Sequence, residues 1–180
     1  NPGWTLAGPG AIPMPFPKGT AMDELLKLLK RNALETPENL ARMLNLSAAE
    51  VKSRIAEYEK RGVIRGYQAV VNEDQLSLNK VTAVIEVKVT PEREGGFNYV
   101  AERISKFPEV TSVYLMSGTF DLLLFVAGKD LKEVAFFVSE KLATIKGVIS
   151  TSTHFMLKTY KAHGVLMEGE EGTERLKVSP

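Results

Sequence analysis

The cations and hydroxyl groups between residues 47 and 61 are the side chains best spaced to contact a charged polymer. Ser47-Ala-Ala-Glu50 has the form of a capping box, which predicts that a helix begins here. With the apolar residues of this helix facing inward, the candidates for contact with nucleic acid are Ser47, Ala49, Lys52, Ser53, Arg54, Lys60 and Arg61. Lys52 and Ser53 suit base edges, whereas the three other cations suit phosphates. Three glutamates share the helix, so charge alone leaves nucleic-acid and protein partners equally open.

A second group of candidates surrounds the turn Gly118-Thr119-Phe120-Asp121. Glycine permits a backbone geometry that other residues disfavour, and exposed N–H groups there suit a carboxylate. The Asp121 carboxylate suits an ammonium group, so the turn offers partners for both charged ends of a free amino acid. The predicted effector-binding residues are Met116, Ser117, Gly118, Thr119, Phe120 and Asp121. Alternatively, Gly118 and Asp121 only form the turn and contact another subunit.

The composition argues against metal and thiol chemistry. The 180 residues contain no cysteine and two histidines, His154 and His163, neither in an evident catalytic arrangement. We therefore predict no catalytic residue, no metal site and no cofactor. No apolar run approaches the ~20 residues of a membrane-spanning helix. A cytoplasmic protein without a membrane partner is expected.

The N-terminal half predicts three short helices. Residues 1–21, rich in proline and glycine, are expected to form a loose leader, native or appended. From Met22, apolar residues recur at helical spacing, and Thr36-Pro37 is a helix start. Gly62 is expected to end the third helix, and Tyr67–Val71 is predicted to be a strand. Residues 22–66 therefore predict a winged helix-turn-helix, followed by a strand and linker over 67–79.

The C-terminal half predicts strands and helices in the order β-α-β-β-α-β. The predicted strands are 81–89, 110–116, 120–127 and 148–157, and the predicted helices are 97–107 and 131–142. This order is that of ferredoxin-like folds, here assigned to residues 80–160. Residues 161–180 are expected to be an acidic tail, most simply mobile from Val165 onward. The predicted class is α+β, with an N-terminal winged helix-turn-helix and a C-terminal ferredoxin-like domain.

Two motifs, one in each half of the chain, resemble those of the Lrp/AsnC, or feast/famine, transcriptional regulators. The first runs from Leu46-Ser47 through Gly62-Val63-Ile64 to Asn72, and the second is the glycine-x-x-aspartate loop Gly118 to Asp121. The resemblance covers residues 22–160. It implies double-stranded DNA as a partner, a small-molecule effector, most simply an amino acid bound near the loop, and a homodimer that assembles into a tetramer or octamer.

Charge and strand pattern are consistent with that resemblance. Residues 1–66 carry ten basic and seven acidic side chains, whereas residues 67–180 carry thirteen and fifteen. The strand at 81–89 has one fully apolar face, and Val84 adds an apolar residue to the other, which favours pairing of two sheets.

Two other functions remain as alternatives. Sirohaem decarboxylases resemble this family in fold, but their signature adds histidine where this chain has YLMSGTFDL. A winged domain that binds other proteins is the second alternative.

Overall fold

A computed structural model describes residues 23–76, 80–90 and 97–168, so the predicted leader and the last twelve residues lie outside the described part. The chain divides between Ala69 and Val70 into two compact units. The helices and strands, in chain order, are α1 (Glu24–Arg31), α2 (Pro37–Leu44), α3 (Ala48–Lys60), β1 (Val81–Val89), α4 (Asn98–Ile104), β2 (Val110–Leu115), β3 (Leu122–Gly128), α5 (Leu131–Phe136), β4 (Val148–Phe155), β5 (Lys161–Ala162) and β6 (Val165–Leu166). A 3-10 turn at Glu73–Gln75 precedes β1, and α5 continues as π-helix through Phe137–Leu142.

Polar caps fix where α2 and α3 begin. The Thr36 hydroxyl accepts from the Asn39 amide at 3.2 Å, and Pro37 occupies the first turn of α2. Between the helices, Asn45 adopts the left-handed conformation with φ of 54°. Asparagine tolerates this conformation better than most residues, so the chain turns sharply into α3. The predicted helix starts and the tight turn are confirmed.

A buried tyrosine ties the beginning of α1 to α3. Tyr58 is 3% exposed, and its hydroxyl donates to the carboxylate of Asp23. Asp23 is also the N-cap of α1, where it accepts from the Leu25 amide. Around this link, Leu25, Leu40 and Val51 are fully buried and form the core of the three-helix unit.

Removal of the Tyr58 hydroxyl gives a pH-dependent loss of stability. Burial, followed by the hydrogen bond to Asp23, raises the pKa of Tyr58 to about 12. Tyr58→Phe is expected to lower the free energy of unfolding by about 1 kcal/mol at neutral pH. The folded state favours the protonated hydroxyl, so this stabilisation is complete below the ordinary tyrosine pKa near 10 and is lost as the pH approaches 12. The difference in unfolding free energy between wild type and Tyr58→Phe should therefore shrink across that range. Denaturant titrations of both proteins at neutral and alkaline pH test this. A difference that stays constant would contradict it.

The second unit is a four-stranded antiparallel sheet in the order β2-β3-β1-β4. In β1, Ala83, Ile85, Val87 and Val89 are buried on the face that carries the helices. They pack in one core with residues from α4, β3, α5 and the π-helical turn. This strand order and the β-α-β-β-α-β sequence give the ferredoxin-like arrangement, so the predicted α+β class is confirmed.

The other sheet face carries a mixed surface, and none of the described helices of this unit packs a core against it. Val84 pairs with Phe125 and Glu86 with Leu123 across β1 and β3. The rings of Phe125 and Tyr114 meet edge to face at 6.0 Å. Tyr114 remains half exposed, so this face presents aromatic and aliphatic groups to its surroundings. We call it the open sheet face.

The predicted strand at Tyr67–Val71 is wrong. These residues lie outside any helix or strand, and Tyr67, Val70 and Val71 are exposed. β-Branched residues favour an extended backbone, but a strand also needs a neighbour to accept its hydrogen bonds. No described segment pairs with this one. The prediction failed because it used only local preference.

The expectation of an acidic tail from residue 161, mobile from Val165, is also wrong for its first residues. Lys161–Ala162 pairs with Val165–Leu166 in a hairpin, with His163 and Gly164 at positive φ in the turn. Met167 then lies buried, and its carbonyl accepts from the Asn72 side-chain amide. The hairpin therefore fixes part of the segment that precedes β1.

Candidate functional sites

The N-terminal half of α3 presents most of its predicted contact residues to solvent. Ser47, Ala49, Lys52, Ser53 and Lys60 are exposed, whereas Arg54 and Arg61 are half-buried. Val51 and Tyr58 are buried on the opposite side, which confirms the predicted orientation of the helix. The Ser47 hydroxyl caps α3 by accepting from the Glu50 amide at 3.1 Å. The structure thus brings Ser47, Ala49, Lys52 and Ser53 to one end of α3, with Lys60 and Arg61 at the other.

Carboxylates accompany two of the predicted contact cations. Arg54 Nη2 lies 2.9 Å from Glu50 Oε1 on the same helix, and Lys52 Nζ lies 3.3 Å from Glu38 Oε1 on α2. The capping box is therefore half formed. Its serine bonds the Glu50 amide as predicted, but the Glu50 carboxylate binds Arg54 in place of the backbone at Ser47.

Glu38 is the residue of this surface that sequence reasoning missed. It precedes Lys52 by fourteen positions, so helical spacing gives no signal that the two side chains meet. A hydrogen bond from its own backbone amide, then the contacts with Lys52, hold the pKa of Glu38 below its usual value. Its carboxylate therefore stays ionised at neutral pH.

The predicted effector residues lie in the connection between β2 and β3. Met116, Ser117, Gly118 and Thr119 are exposed, and Phe120 and Asp121 are half-buried. Gly118 has φ of 132°, a conformation that side chains disfavour, and a Cβ placed there would meet nothing within 4 Å. Glycine is therefore required here for its backbone geometry rather than for space.

Asp121 is part of the sheet as well as of the loop. Its side-chain Oδ2 accepts from the buried Val89 amide at 2.8 Å, and its own amide donates to Val87 at 3.0 Å. The register of β1 against β4 shifts between Lys88 and Val89. Asp121 thus satisfies a backbone donor where the ladder is irregular. The sequence predicts a ligand, turn or subunit-contact role for this carboxylate and carries no signal of its contact with Val89.

Among the described residues, no group of three or more histidine, cysteine or acidic side chains lies together as a metal site. In the same part of the chain, no helix has the length and apolar character needed to cross a membrane. His154 lies on β4, where its Nε2 is 3.2 Å from the Ser152 hydroxyl and 3.7 Å from Glu86 Oε1.

Two family models match this chain in the order of its units. Residues 24–65 match a winged helix-turn-helix DNA-binding model, and residues 82–166 match the Lrp/AsnC ligand-binding domain. The second match extends through the hairpin that follows β4, in agreement with its ordered contacts.

Curated relatives share most of their length with this chain. The uncharacterised HTH-type transcriptional regulator YugG of Bacillus subtilis is 45% identical over 158 residues, which are 87% of this chain and 95% of YugG. The proline dehydrogenase transcriptional activator of Rhodobacter capsulatus is 33% identical over 134 residues, 74% of this chain and 86% of that protein.

Solved structures of similar fold include a complex with an amino acid. The transcriptional regulator NMB0573 of Neisseria meningitidis, in complex with L-Met, has a TM-score of 0.62 at 26% identity and covers 79% of this chain and 94% of its own. An AsnC family transcriptional regulator from Agrobacterium tumefaciens has a TM-score of 0.60 at 28% identity, with coverage of 78% and 94%.

Proposed function

This chain belongs to the Lrp/AsnC family of transcriptional regulators, and on that premise we propose how it contacts DNA and its effector. It is a DNA-binding regulator with a ligand-binding domain, and its relatives do not favour the sirohaem decarboxylase alternative. We assign it no catalytic residue. Since a regulator must reach the DNA, we propose that it acts in the cytoplasm.

The N-terminal half of α3 is the proposed base-reading surface. In a helix-turn-helix, the second helix enters the major groove with its first turns toward the base edges. The observation that carries this assignment is the exposed face formed by Ala49, Lys52 and Ser53. Lys52 would donate to guanine, and Ser53 would donate or accept. We assign Ser47, Arg54, Lys60 and Arg61 to the phosphates on either side.

The β2–β3 connection is the proposed effector site, with a free amino acid as the ligand. Ser117, Gly118 and Thr119 are exposed residues whose backbone N–H groups would bind a carboxylate, and Met116 and Phe120 would supply apolar surface. Asp121 supplies negative charge at the same place while its Oδ2 accepts from Val89. The complex of NMB0573 with L-Met supports this ligand class.

A homodimer formed through the open sheet face completes the proposal. Val84, Phe125 and Tyr114 provide the apolar contact, and sheets pack face to face in this way in many proteins. Further association into a tetramer or octamer would bring effector loops of different dimers into one assembly.

A melting screen with the free amino acids, paired with selection of duplexes from a random-sequence pool, tests the function. A ligand that binds only the folded protein should raise the melting temperature by about 5–10 °C at roughly 100 times its dissociation constant. The pool should yield an enriched sequence whose affinity changes with that ligand. Absence of both enrichment and a melting shift would favour the protein-binding winged domain.

A further inference from the structure

The candidate base-reading surface includes an anion that belongs to a different helix. Glu38, in the first turn of α2, places its Oε1 3.3 Å from Lys52 Nζ on α3. Both side chains are 61% exposed, so neither is held by packing. The contact joins the two helices of the helix-turn-helix where Lys52 faces outward.

This arrangement differs from the neighbouring Arg54–Glu50 pair. Glu50 and Arg54 are four positions apart on one helix, a spacing that brings such pairs together on any exposed helix. Glu38 reaches Lys52 from fourteen positions away, so the contact depends on how α2 and α3 pack. In this structure it holds the Lys52 ammonium beside α2.

A carboxylate beside a DNA-facing cation affects nonspecific and sequence-specific DNA binding differently. Binding to DNA of arbitrary sequence comes almost entirely from cations that neutralise phosphates. An ion-paired lysine supplies less of that attraction, and the carboxylate repels nearby phosphates. In the correct sequence, a base edge that accepts a hydrogen bond from Lys52 can replace Glu38 as the partner of the ammonium. DNA of arbitrary sequence does not offer such an acceptor at that position.

We infer that Glu38 is a specificity-determining residue, which restrains Lys52 and thereby suppresses binding to DNA of arbitrary sequence. The inference rests on the proposed function, because it requires α3 to face DNA. Glu38 acts through Lys52 and is therefore a positioning residue. Its removal should strengthen nonspecific binding rather than weaken it.

Fluorescence anisotropy with a labelled mixed-sequence duplex tests this directly. Glu38→Gln should tighten binding at low salt by about threefold, the factor for one charge facing a phosphate across solvent. The gain should fade as salt is raised, because added ions screen the charge. In a Lys52→Met background the same change should give a smaller gain, since the restrained cation is absent.

Glu24→Gln provides the matched control. Glu24 forms an exposed pair of the same kind with Lys27 at 2.6 Å, but on α1, outside the two-helix motif. We expect the control to leave duplex affinity unchanged. Equal affinity of wild type and Glu38→Gln, an equal gain in the Lys52→Met background, or an equal gain from Glu24→Gln would each overturn the inference. If the wild-type protein binds no duplex at any salt, the proposed function fails with it.

Discussion

Arg54→Ala is expected to weaken binding to double-stranded DNA by about tenfold to a hundredfold, whatever the sequence of the duplex. A hydrogen bond to a charged group contributes about 1.5–3 kcal/mol, and this substitution removes one proposed phosphate contact. It also leaves the Glu50 carboxylate without the guanidinium that now lies 2.9 Å away. The loss of the cation and the uncovering of the Glu50 anion both weaken the attraction to phosphates, so the salt dependence of binding should become shallower. Affinity measured over a range of salt concentrations tests this.

The double variant Arg54→Ala/Glu50→Gln separates these two effects. It lacks the cation but no longer presents an unpaired anion, so it should recover part of the lost affinity. The melting temperature should barely change in either variant, because ion pairs four residues apart on a helix surface contribute only about 0.3–0.5 kcal/mol. Unaltered DNA affinity and salt slope in Arg54→Ala would remove Arg54 from the contact surface.

Asp121→Ala is expected to destabilise the C-terminal unit as well as to abolish the amino-acid response. The substitution leaves the Val89 amide, which belongs to a residue only 3% exposed, without its side-chain acceptor. An unsatisfied buried donor costs about 1–3 kcal/mol. For a chain of this size, that corresponds to a decrease in melting temperature of roughly 2–12 °C. Thermal melting with and without the effector measures both losses.

Asp121→Asn is the control that distinguishes structure from ligand binding. Its amide oxygen can still accept from Val89, so the stability should be largely retained. Its side chain carries no negative charge, so an ammonium group should bind more weakly. A full ligand-induced melting shift in Asp121→Asn would exclude Asp121 as the partner of the ammonium group. A stable Asp121→Ala protein would contradict the role of the Val89 hydrogen bond.

The features that the sequence predicted correctly depend on residues close together in the chain. Strand β1 begins and ends at Val81 and Val89 as the alternating pattern predicts. Thr36-Pro37 and Ser47 begin their helices because a cap bonds an amide only a few positions ahead. The side of α3 that faces solvent follows from the helical spacing of Val51 and Tyr58.

The features that were missed depend on contacts between distant positions or on the absence of a partner. Tyr67–Val71 has the composition of a strand but no described strand beside it. The Glu38–Lys52 and Asp121–Val89 contacts arise only when separate elements pack. The hairpin after β4 did carry a local signal, the His163-Gly164 pair, since a residue in the left-handed conformation followed by glycine typifies two-residue hairpin turns.

The strand order β2-β3-β1-β4 has a consequence for the protein as it emerges from the ribosome. The three helices of the first unit make contacts that are close in the chain, so they can fold while the rest is still being translated. Strand β1, one of the two inner strands, is synthesised before either of its neighbours, and its second neighbour is complete only at Phe155. At about 5–20 residues per second, the unpaired backbone edges and the apolar face of β1 stay uncovered for on the order of several seconds. During this interval of translation, the nascent chain therefore consists of a folded three-helix unit attached to an aggregation-prone strand. Chaperones would be needed at this stage.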